Sequence, residues 1–173
     1  MTYQIDPKHS AVHFQVRHMT IAFVKGSFGV TGTVNFDPAN LAGSSVDVSV
    51  DIATLSTRDK DRDGHMLSPD ILDGAGNPAA TFKSTSVVAA GSGYTVAGNL
   101  TLRGVSQPAT LNVSHVSDEV TDPWTLKRRG VTGSMTISRS AFGMGWNMDL
   151  PGVGKMVSDE VDLSLDIEMT RNA

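Results

Sequence analysis

Apolar and polar residues alternate along most of the chain. The alternation is clearest over residues 46–52 and 161–169, where Val, Leu, Ile and Met are separated by Asp, Ser and Glu. Side chains two residues apart share one face of a strand but lie on different sides of a helix. Both segments are therefore predicted to be strands with one buried and one exposed face, as is typical of antiparallel sheets.

Six weaker copies of this pattern raise the predicted number of strands to eight. They cover residues 12–16, 30–36, 82–88, 94–102, 109–116 and 131–137. Turn-forming sequences that contain Gly, Pro, Asn and Asp separate several of them. Short strands with regular turns are typical of a sandwich or a barrel. The missing βαβ rhythm argues against a nucleotide-binding parallel sheet.

Two stretches interrupt the alternation. Residues 56–73 are dense in charge. We predict a loop there with one or two short helices, capped by Ser56 or Thr57 and again by Ser68, which precedes a proline. Residues 142–155 are rich in glycine and apolar side chains. They are interpreted either as a mobile flap over a cavity or as an ordinary long hairpin loop.

The composition fits a single domain that spans residues 1–173. Hydrophobic residues make up 39% and charged residues 18%, which excludes a disordered chain. The net charge of -4 argues against nucleic-acid binding, which normally needs a basic excess. The chain has no cysteine, so a disulfide scaffold, a thiol nucleophile and a Cys-type zinc site are excluded.

The first residues carry neither the basic nor the apolar segment of a secretory signal, so we expect a cytoplasmic protein. No apolar run approaches the roughly 20 residues of a membrane-spanning helix. Stable membrane insertion is therefore not expected.

The sharpest local motif is D-x-D-x-D-G over residues 59–64, which fits the first half of an EF-hand calcium loop. The twelfth loop position holds Asp70, where the loop normally has a bidentate Glu. A strand also precedes the motif in place of the entering helix. Calcium binding by Asp59, Asp61 and Asp63 is thus an alternative to a solvated helix start.

No catalytic set emerges from the sequence. The G-x-S-x-G elbow and the glycine-rich phosphate loops do not occur. His18 is in step with the apolar residues of its strand and is predicted to face the interior. No metal site is expected, because convergent partners for it are missing. Arg139 is also in step with an apolar set, and an inward salt bridge to a buried carboxylate is one explanation for it.

Apolar strand faces without catalytic residues favour a container. An eight-stranded barrel is just wide enough for its own side chains or for one slender ligand. At about 0.8 kcal/mol per buried CH₂, a long alkyl or prenyl chain can bind by apolar contact alone. A few polar groups at one end would fix the head group.

The chain resembles the YceI-like family, bacterial proteins that bind polyisoprenoid lipids in a lipocalin-like barrel. The resemblance covers essentially the whole chain and is carried by four motifs. These are Tyr3-x-Ile5-Asp6-Pro7-x-His9-Ser10, Arg62-Asp63-x-His65, Gly98-x-Leu100-Thr101-Leu102-x-Gly104-Val105 and Arg139-x-x-Phe142-Gly143. Residues 71–78 depart from the family pattern, because small residues stand where aromatic residues and Tyr-Pro are usual. This departure is expected to reshape the barrel mouth.

The resemblance implies an all-β fold: an eight-stranded antiparallel lipocalin-like barrel with one or two short helices in the 56–73 region. It implies an apolar cavity that binds an isoprenoid quinone, a prenyl phosphate or a related long-chain lipid, for transport, storage or sequestration. No cofactor chemistry is implied, and a homodimer is expected. An enzyme that acts on such a lipid, with His18 or His65 as acid or base, is the alternative.

The predicted ligand contacts fall into two groups. Inward apolar side chains would line the cavity, namely Phe14, Val16, Phe28, Phe36, Phe82, Leu100, Leu102 and Phe142. Side chains that carry a hydrogen-bond donor would contact the head group or the cavity end, namely His18, Arg58, His65 and Arg139.

Overall fold

Antiparallel strands make up most of the structure. The computed structural model describes residues 1–171, and the last two residues of the predicted domain lie outside this range. The strands are β1 (Thr2–Ile5), β2 (Ala11–His18), β3 (Ala22–Asn35), β4 (Ser45–Ser56), β5 (Ala79–Ala90), β6 (Gly93–Leu102), β7 (Val105–Val116), β8 (Val120–Thr121), β9 (Lys127–Ser138), β10 (Asp149–Leu150), β11 (Gly154–Lys155) and β12 (Val157–Arg171). Helix α1 (Lys60–Leu67) follows β4, and short 3-10 turns lie at Leu41–Gly43 and Ser140–Phe142.

Eight strands close into an antiparallel barrel, which confirms the predicted fold. Their order is β12-β2-β3-β4-β5-β6-β7-β9, and β9 pairs back onto β12. These are the eight strands that the alternation predicts, and each is longer than its pattern indicated. Strand β1 pairs with the last turn-distal residues of β12 and β3, beyond the start of β2. The two ends of the barrel are called here the β1 end and the α1 end.

The sequence pattern missed strands β1, β8, β10 and β11. Each has only two to four residues, too few to show alternation. Strands β10 and β11 form a small hairpin, in which Lys155 Nζ lies 2.7 Å from Asp149 Oδ1. Of the two interpretations of residues 142–155, the hairpin loop is therefore the one that the structure contains.

Helix α1 begins one turn later than predicted. Its N-cap is Asp59, not Ser56 or Thr57, and the Asp59 carboxylate accepts a hydrogen bond of 3.0 Å from the backbone N–H of Arg62. An N-cap residue needs an extended backbone and a side-chain acceptor that reaches the first turn. Asp59 meets both conditions, with φ -144° and ψ 110°.

A second helix does not follow α1. Ser68 is the C-cap of α1 rather than the N-cap of another helix, and its backbone is extended, with φ -67° and ψ 165°. The physical reason is Pro69, whose ring disfavours a helical conformation in the residue before it. Within residues 1–171, no helix has the length and apolar character that crossing a bilayer requires.

Two phenylalanine rings occupy space that glycines on neighbouring strands leave free. A Cβ at position 26 would lie 2.5 Å from Cε1 of Phe14, and a Cβ at position 98 would lie 2.7 Å from Cζ of Phe82. Both distances are shorter than real carbon–carbon contacts. The barrel therefore accommodates these rings because Gly26 and Gly98 have no side chain.

The β1 end carries a network of charged groups around Arg128. Its guanidinium donates to Asp122 at 2.6 Å, to Asp6 at 2.9 Å and to Glu168. Hydrogen bonds from His9 and Arg128 lower the pKa of Asp6 from 3.8 to about 2. These contacts tie the turn after β1 to β9 and β12.

A second polar group lies beside it and contains the fully buried Tyr3. The Tyr3 hydroxyl donates to Glu119 at 2.5 Å and accepts from Arg129 Nε at 3.1 Å. Arg171 at the end of β12 donates to the same Glu119 carboxylate at 2.8 and 2.9 Å. The β1 end is thus held together by hydrogen-bonded ion pairs.

Replacing Gly98 with Ala is expected to destabilise the barrel by about 1–3 kcal/mol. The new methyl group would meet the Lys83 carbonyl oxygen at 2.4 Å as well as the Phe82 ring, so backbone would have to move. The control is Gly64→Ala in α1, where nothing lies within 4 Å of the new Cβ. That change should stabilise the protein by up to about 1 kcal/mol. Urea unfolding measures both, and equal midpoints for the two variants would contradict the packing argument.

Replacing Asp6 with Asn is expected to lower the free energy of unfolding by about 1 kcal/mol at neutral pH. Because the pKa of Asp6 is lower in the folded protein, its carboxylate stabilises the fold above the usual value of 3.8. This contribution is lost as the pH falls toward about 2. Urea unfolding at a series of pH values should show the two proteins converge in acid. The control is Asp47→Asn, whose exposed pair with Lys83 should contribute little at any pH.

Candidate functional site

An apolar cavity of about 480 Å³ occupies the α1 end of the barrel. We call it the main cavity. Strands β2, β3, β4, β6, β9 and β12 supply most of its wall, helix α1 lies along it, and residues 71–72 and 144–146 complete it. Its surface is mainly apolar, because the inward positions of these strands are mostly Val, Leu, Ile and Phe.

A smaller cavity of about 100 Å³ lies toward the β1 end. We call it the small cavity. Val30, Val48, Val96 and Leu165 are among its lining residues, together with Phe36, which packs edge-on against Tyr94 at 5.4 Å between ring centroids. Two separate apolar spaces therefore lie within one barrel.

Most of the predicted contact residues lie around the main cavity. His18 faces it, as its place in the alternation indicates. The predicted residues that line it are Phe14, Val16, His18, Phe28, His65, Leu100, Leu102 and Arg139. Sequence motifs far apart along the chain thus meet at one end of the barrel.

Four predicted residues lie elsewhere. Phe36 lines the small cavity. Phe82 and Phe142 are buried in the core and line neither cavity. Arg58 is exposed and lies outside the cavity wall, because it occupies the bend before α1 with a left-handed backbone, φ 65°. A head-group contact by Arg58 is therefore not supported by its position.

Arg139 is the buried charge of the main cavity, with only 6% of its surface exposed. Its guanidinium donates to the Trp146 carbonyl at 2.7 Å and to the Ser158 carbonyl at 3.3 Å. Burial lowers the pKa of Arg139 below its usual value, and the charge of Asp159 opposes this shift. Arg139 thus keeps a positive charge beside an apolar space.

The predicted salt bridge of Arg139 is absent from the described residues 1–171. The nearest candidate, Asp159, is exposed and accepts hydrogen bonds from Ser138 Oγ and from the Ser140 backbone N–H at 2.8 Å. The Ser138 hydroxyl is the main reason that the pKa of Asp159 is lowered. The carboxylate is therefore engaged with the turn at Ser140, and the guanidinium bonds to carbonyl oxygens instead.

His65 and Trp146 close one side of the main cavity. His65 projects from α1 and meets Trp146 edge-on, with ring centroids 4.6 Å apart. Its Nε2 lies 3.9 Å from an Asp70 carboxylate oxygen. Since Arg139 also holds the Trp146 carbonyl, the segment over the cavity is tied both to the helix and to the barrel.

The three aspartates of the calcium-like motif do not converge. Asp59 caps α1, and Asp63 accepts from the Thr57 backbone N–H at 2.8 Å and from its hydroxyl at 2.5 Å. Asp61 lines the main cavity. The motif forms the first turns of a helix, which is not the geometry of a calcium loop.

Another group of possible metal ligands lies at the β1 end. Ligand atoms of Asp6, His9 and Glu168 lie within 4.8 Å of one another. Arg128 donates to both of these carboxylates, so a guanidinium already supplies the positive charge there. The network is better described as structural.

Sequence reasoning missed several residues of the wall. Their alternation is hidden because they lie on α1 and on irregular segments: Arg62, Met66, Ile71, Leu72, Met144, Trp146 and Met156. The glycine-rich composition of residues 142–155 was the available signal for Trp146. The departure at residues 71–78 was the signal for Ile71 and Leu72, which do contribute to this end of the barrel.

Comparison with known proteins places the chain beside other barrels of this kind. The family model described as the YceI-like domain matches residues 3–169. A UPF0312 protein from Vibrio parahaemolyticus is 38% identical over 170 residues, which cover 96% of this chain and 85% of that protein. A UPF0312 protein from Pseudomonas aeruginosa is 35% identical, with 98% of this chain and 86% of that protein covered.

Solved structures show the same fold. BcnA from Burkholderia cenocepacia superposes with a TM-score of 0.82 at 27% identity, covering 95% of this chain and 98% of that one. A polyisoprenoid binding domain from Saccharophagus degradans superposes with a TM-score of 0.69 at 18% identity, covering 96% and 97%. At that identity the second similarity concerns the fold alone.

Replacing His65 with Ala is expected to loosen Trp146 and to lower stability by about 0.5–1.5 kcal/mol, because an edge-to-face ring contact is lost. The emission of Trp146 should become easier to quench with acrylamide. The measurement uses a Trp124→Phe background, since Trp124 is the other tryptophan and is 75% exposed. His115→Ala on the outside of β7 is the control, and equal quenching in both variants would contradict the contact.

Proposed function

The chain belongs to the YceI-like domain family, and we propose that it binds a long-chain isoprenoid lipid in the main cavity. The observation that carries this proposal is a large apolar cavity with one buried arginine at its wall. The structure from Saccharophagus degradans, described as a polyisoprenoid binding domain, has the same fold and gives this ligand class further support.

The size and lining of the main cavity suit a flexible hydrocarbon chain. Phe14, Phe28 and Leu100 offer apolar contact along the barrel interior. Each CH₂ that leaves water for such a wall contributes about 0.8 kcal/mol. A chain of several isoprene units thus gains enough from burial to offset the freedom it loses on binding.

The polar end of the ligand is proposed to lie near Arg139. A buried guanidinium without a carboxylate partner is unfavourable, and an anionic group beside it would relieve this. His18 and His65 line the same cavity and offer further ring nitrogens. We therefore favour a prenyl phosphate over an isoprenoid quinone, whose carbonyl oxygens would accept hydrogen bonds without neutralising the charge.

We propose a binding role, in transport, storage or sequestration, rather than catalysis. The polar groups around the cavity serve visible structural contacts: Arg139 holds two carbonyls, and His65 packs against Trp146. A prenyl phosphate incubated with the protein should be recovered chemically unchanged. Turnover that disappears in His18→Ala or His65→Ala would favour the enzymatic alternative.

A homodimer and a cytoplasmic location complete the proposal. Both remain predictions. Light scattering coupled to size-exclusion chromatography tests the first, and fractionation of cells that express the complete gene tests the second.

The first experiment is extraction of natively purified protein with organic solvent, followed by mass spectrometry. We expect a prenyl or quinone species in a stoichiometric amount. An empty extract, together with no uptake of added prenyl phosphate or quinone, would overturn the proposed function. In that case the protein's own side chains would have to close the cavity.

Replacing Arg139 with Met tests the head group. Hydrogen bonds to a charged group contribute roughly 1.5–3 kcal/mol, so affinity for a prenyl phosphate should fall about ten- to a hundredfold. Affinity for the matching prenyl alcohol should change much less. The control is Arg58→Met, which removes the same side chain outside the cavity and should leave both affinities unchanged. Equal losses for phosphate and alcohol would contradict the assigned role of Arg139.

A further inference from the structure

The main and small cavities are separated by one layer of the barrel interior. Along β4, Val48 lines the small cavity and Val50 lines the main cavity. Along β12, Leu165 lines the small cavity and Leu163 lines the main cavity. Inward positions two residues apart on a strand are separated by about 7 Å. The two spaces therefore follow each other directly along the barrel axis.

Phe82 on β5 lies at the boundary between them. It pairs with Val48, which lines the small cavity, and with Leu100, which lines the main cavity. Phe82 is only 7% exposed and lines neither cavity. Its ring lies over Gly98, where a Cβ would come within 2.7 Å of Cζ. A large rigid side chain thus stands where the two spaces would otherwise continue into each other.

Met135 holds the corresponding position on β9. Its inward neighbours along the strand are Gly133, which lines the small cavity, and Ile137, which lines the main cavity. Met135 pairs with Leu163 of β12 and is itself absent from both walls. Phe82 and Met135 thus belong to the same layer, on different sides of the barrel. We call them the septum.

We propose that the septum sets the maximum length of the isoprenoid chain that the protein binds. This inference rests on the proposed function. A chain whose head group lies near Arg139 would extend from the α1 end toward Phe82. Each isoprene unit adds affinity as long as it finds apolar wall. Once the chain reaches the septum, a further unit either remains in water or displaces the head group from Arg139.

The small cavity gives the septum its significance. It is lined almost wholly by apolar side chains, and it lies beyond the proposed end of the chain. Replacing Phe82 with a small residue would join the two spaces into one longer cavity. The wall needed for a longer chain is therefore already present, and one ring excludes it.

The test measures affinity for a series of prenyl monophosphates that differ by one isoprene unit. Quenching of Trp146 in the Trp124→Phe background reports binding, since Trp146 lines the main cavity. In the wild type we expect affinity to rise with chain length and then to stop rising. In Phe82→Ala this limit should move by at least one isoprene unit, and the longer chains should bind about tenfold more tightly than they bind the wild type.

The control is Phe28→Ala, which removes a ring of the same size from the wall of the main cavity alone. It should change affinity without moving the limit. Because Phe82→Ala creates a large hole in the core, Phe82→Leu and Met135→Ala are measured beside it, and circular dichroism establishes that each variant is folded.

The outcomes separate the inference from the proposed function. If the wild type binds no member of the series, the proposed function fails. If it binds them but the limit is absent, or stays in place in every folded septum variant, the septum does not set chain length. A limit that moves with Phe82 or Met135, and not with Phe28, supports the inference.

Discussion

The pairing of β9 with β12 is the interaction on which the rest of the structure depends. This ladder runs without a break from Ser138 opposite Glu160 to Lys127 opposite Arg171. It joins a strand in the last third of the chain to the final strand and so closes the sheet into a barrel. Closure removes the exposed edges of these strands and fixes the width of the interior. Every inward side chain must then fit a space of given diameter.

That diameter explains how the barrel combines large rings with open space. The rings of Phe14 and Phe82 fit because Gly26 and Gly98 on neighbouring strands leave room for them. Elsewhere Val and Leu leave the middle of the barrel unfilled, since a closed sheet cannot contract around small side chains. The cavities therefore follow from closure and from the sizes of the inward residues together.

The two ends of the barrel treat charge differently. At the β1 end, Arg128 contacts three carboxylates, so its charge is neutralised within the protein. At the α1 end, Arg139 is buried beside an apolar cavity and bonds only to carbonyl oxygens within residues 1–171. Burial of an unneutralised cation is unfavourable. This difference gives the barrel a direction, with a structural end and an end suited to the polar group of a ligand.

The sequence by itself determined the barrel, because a period of two in hydrophobicity is a local property that each strand displays separately. It also identified eight of the residues that line the main cavity, since the inward face follows from the same alternation. Tertiary structure decided which cavity each inward residue reaches: Phe36 and Phe82 have the same alternation as Phe14, but their height in the barrel depends on strand register. It likewise decided the partner of Arg139 and the role of Trp146. Those depend on how an irregular segment folds back over the barrel, and no periodic pattern encodes such contacts.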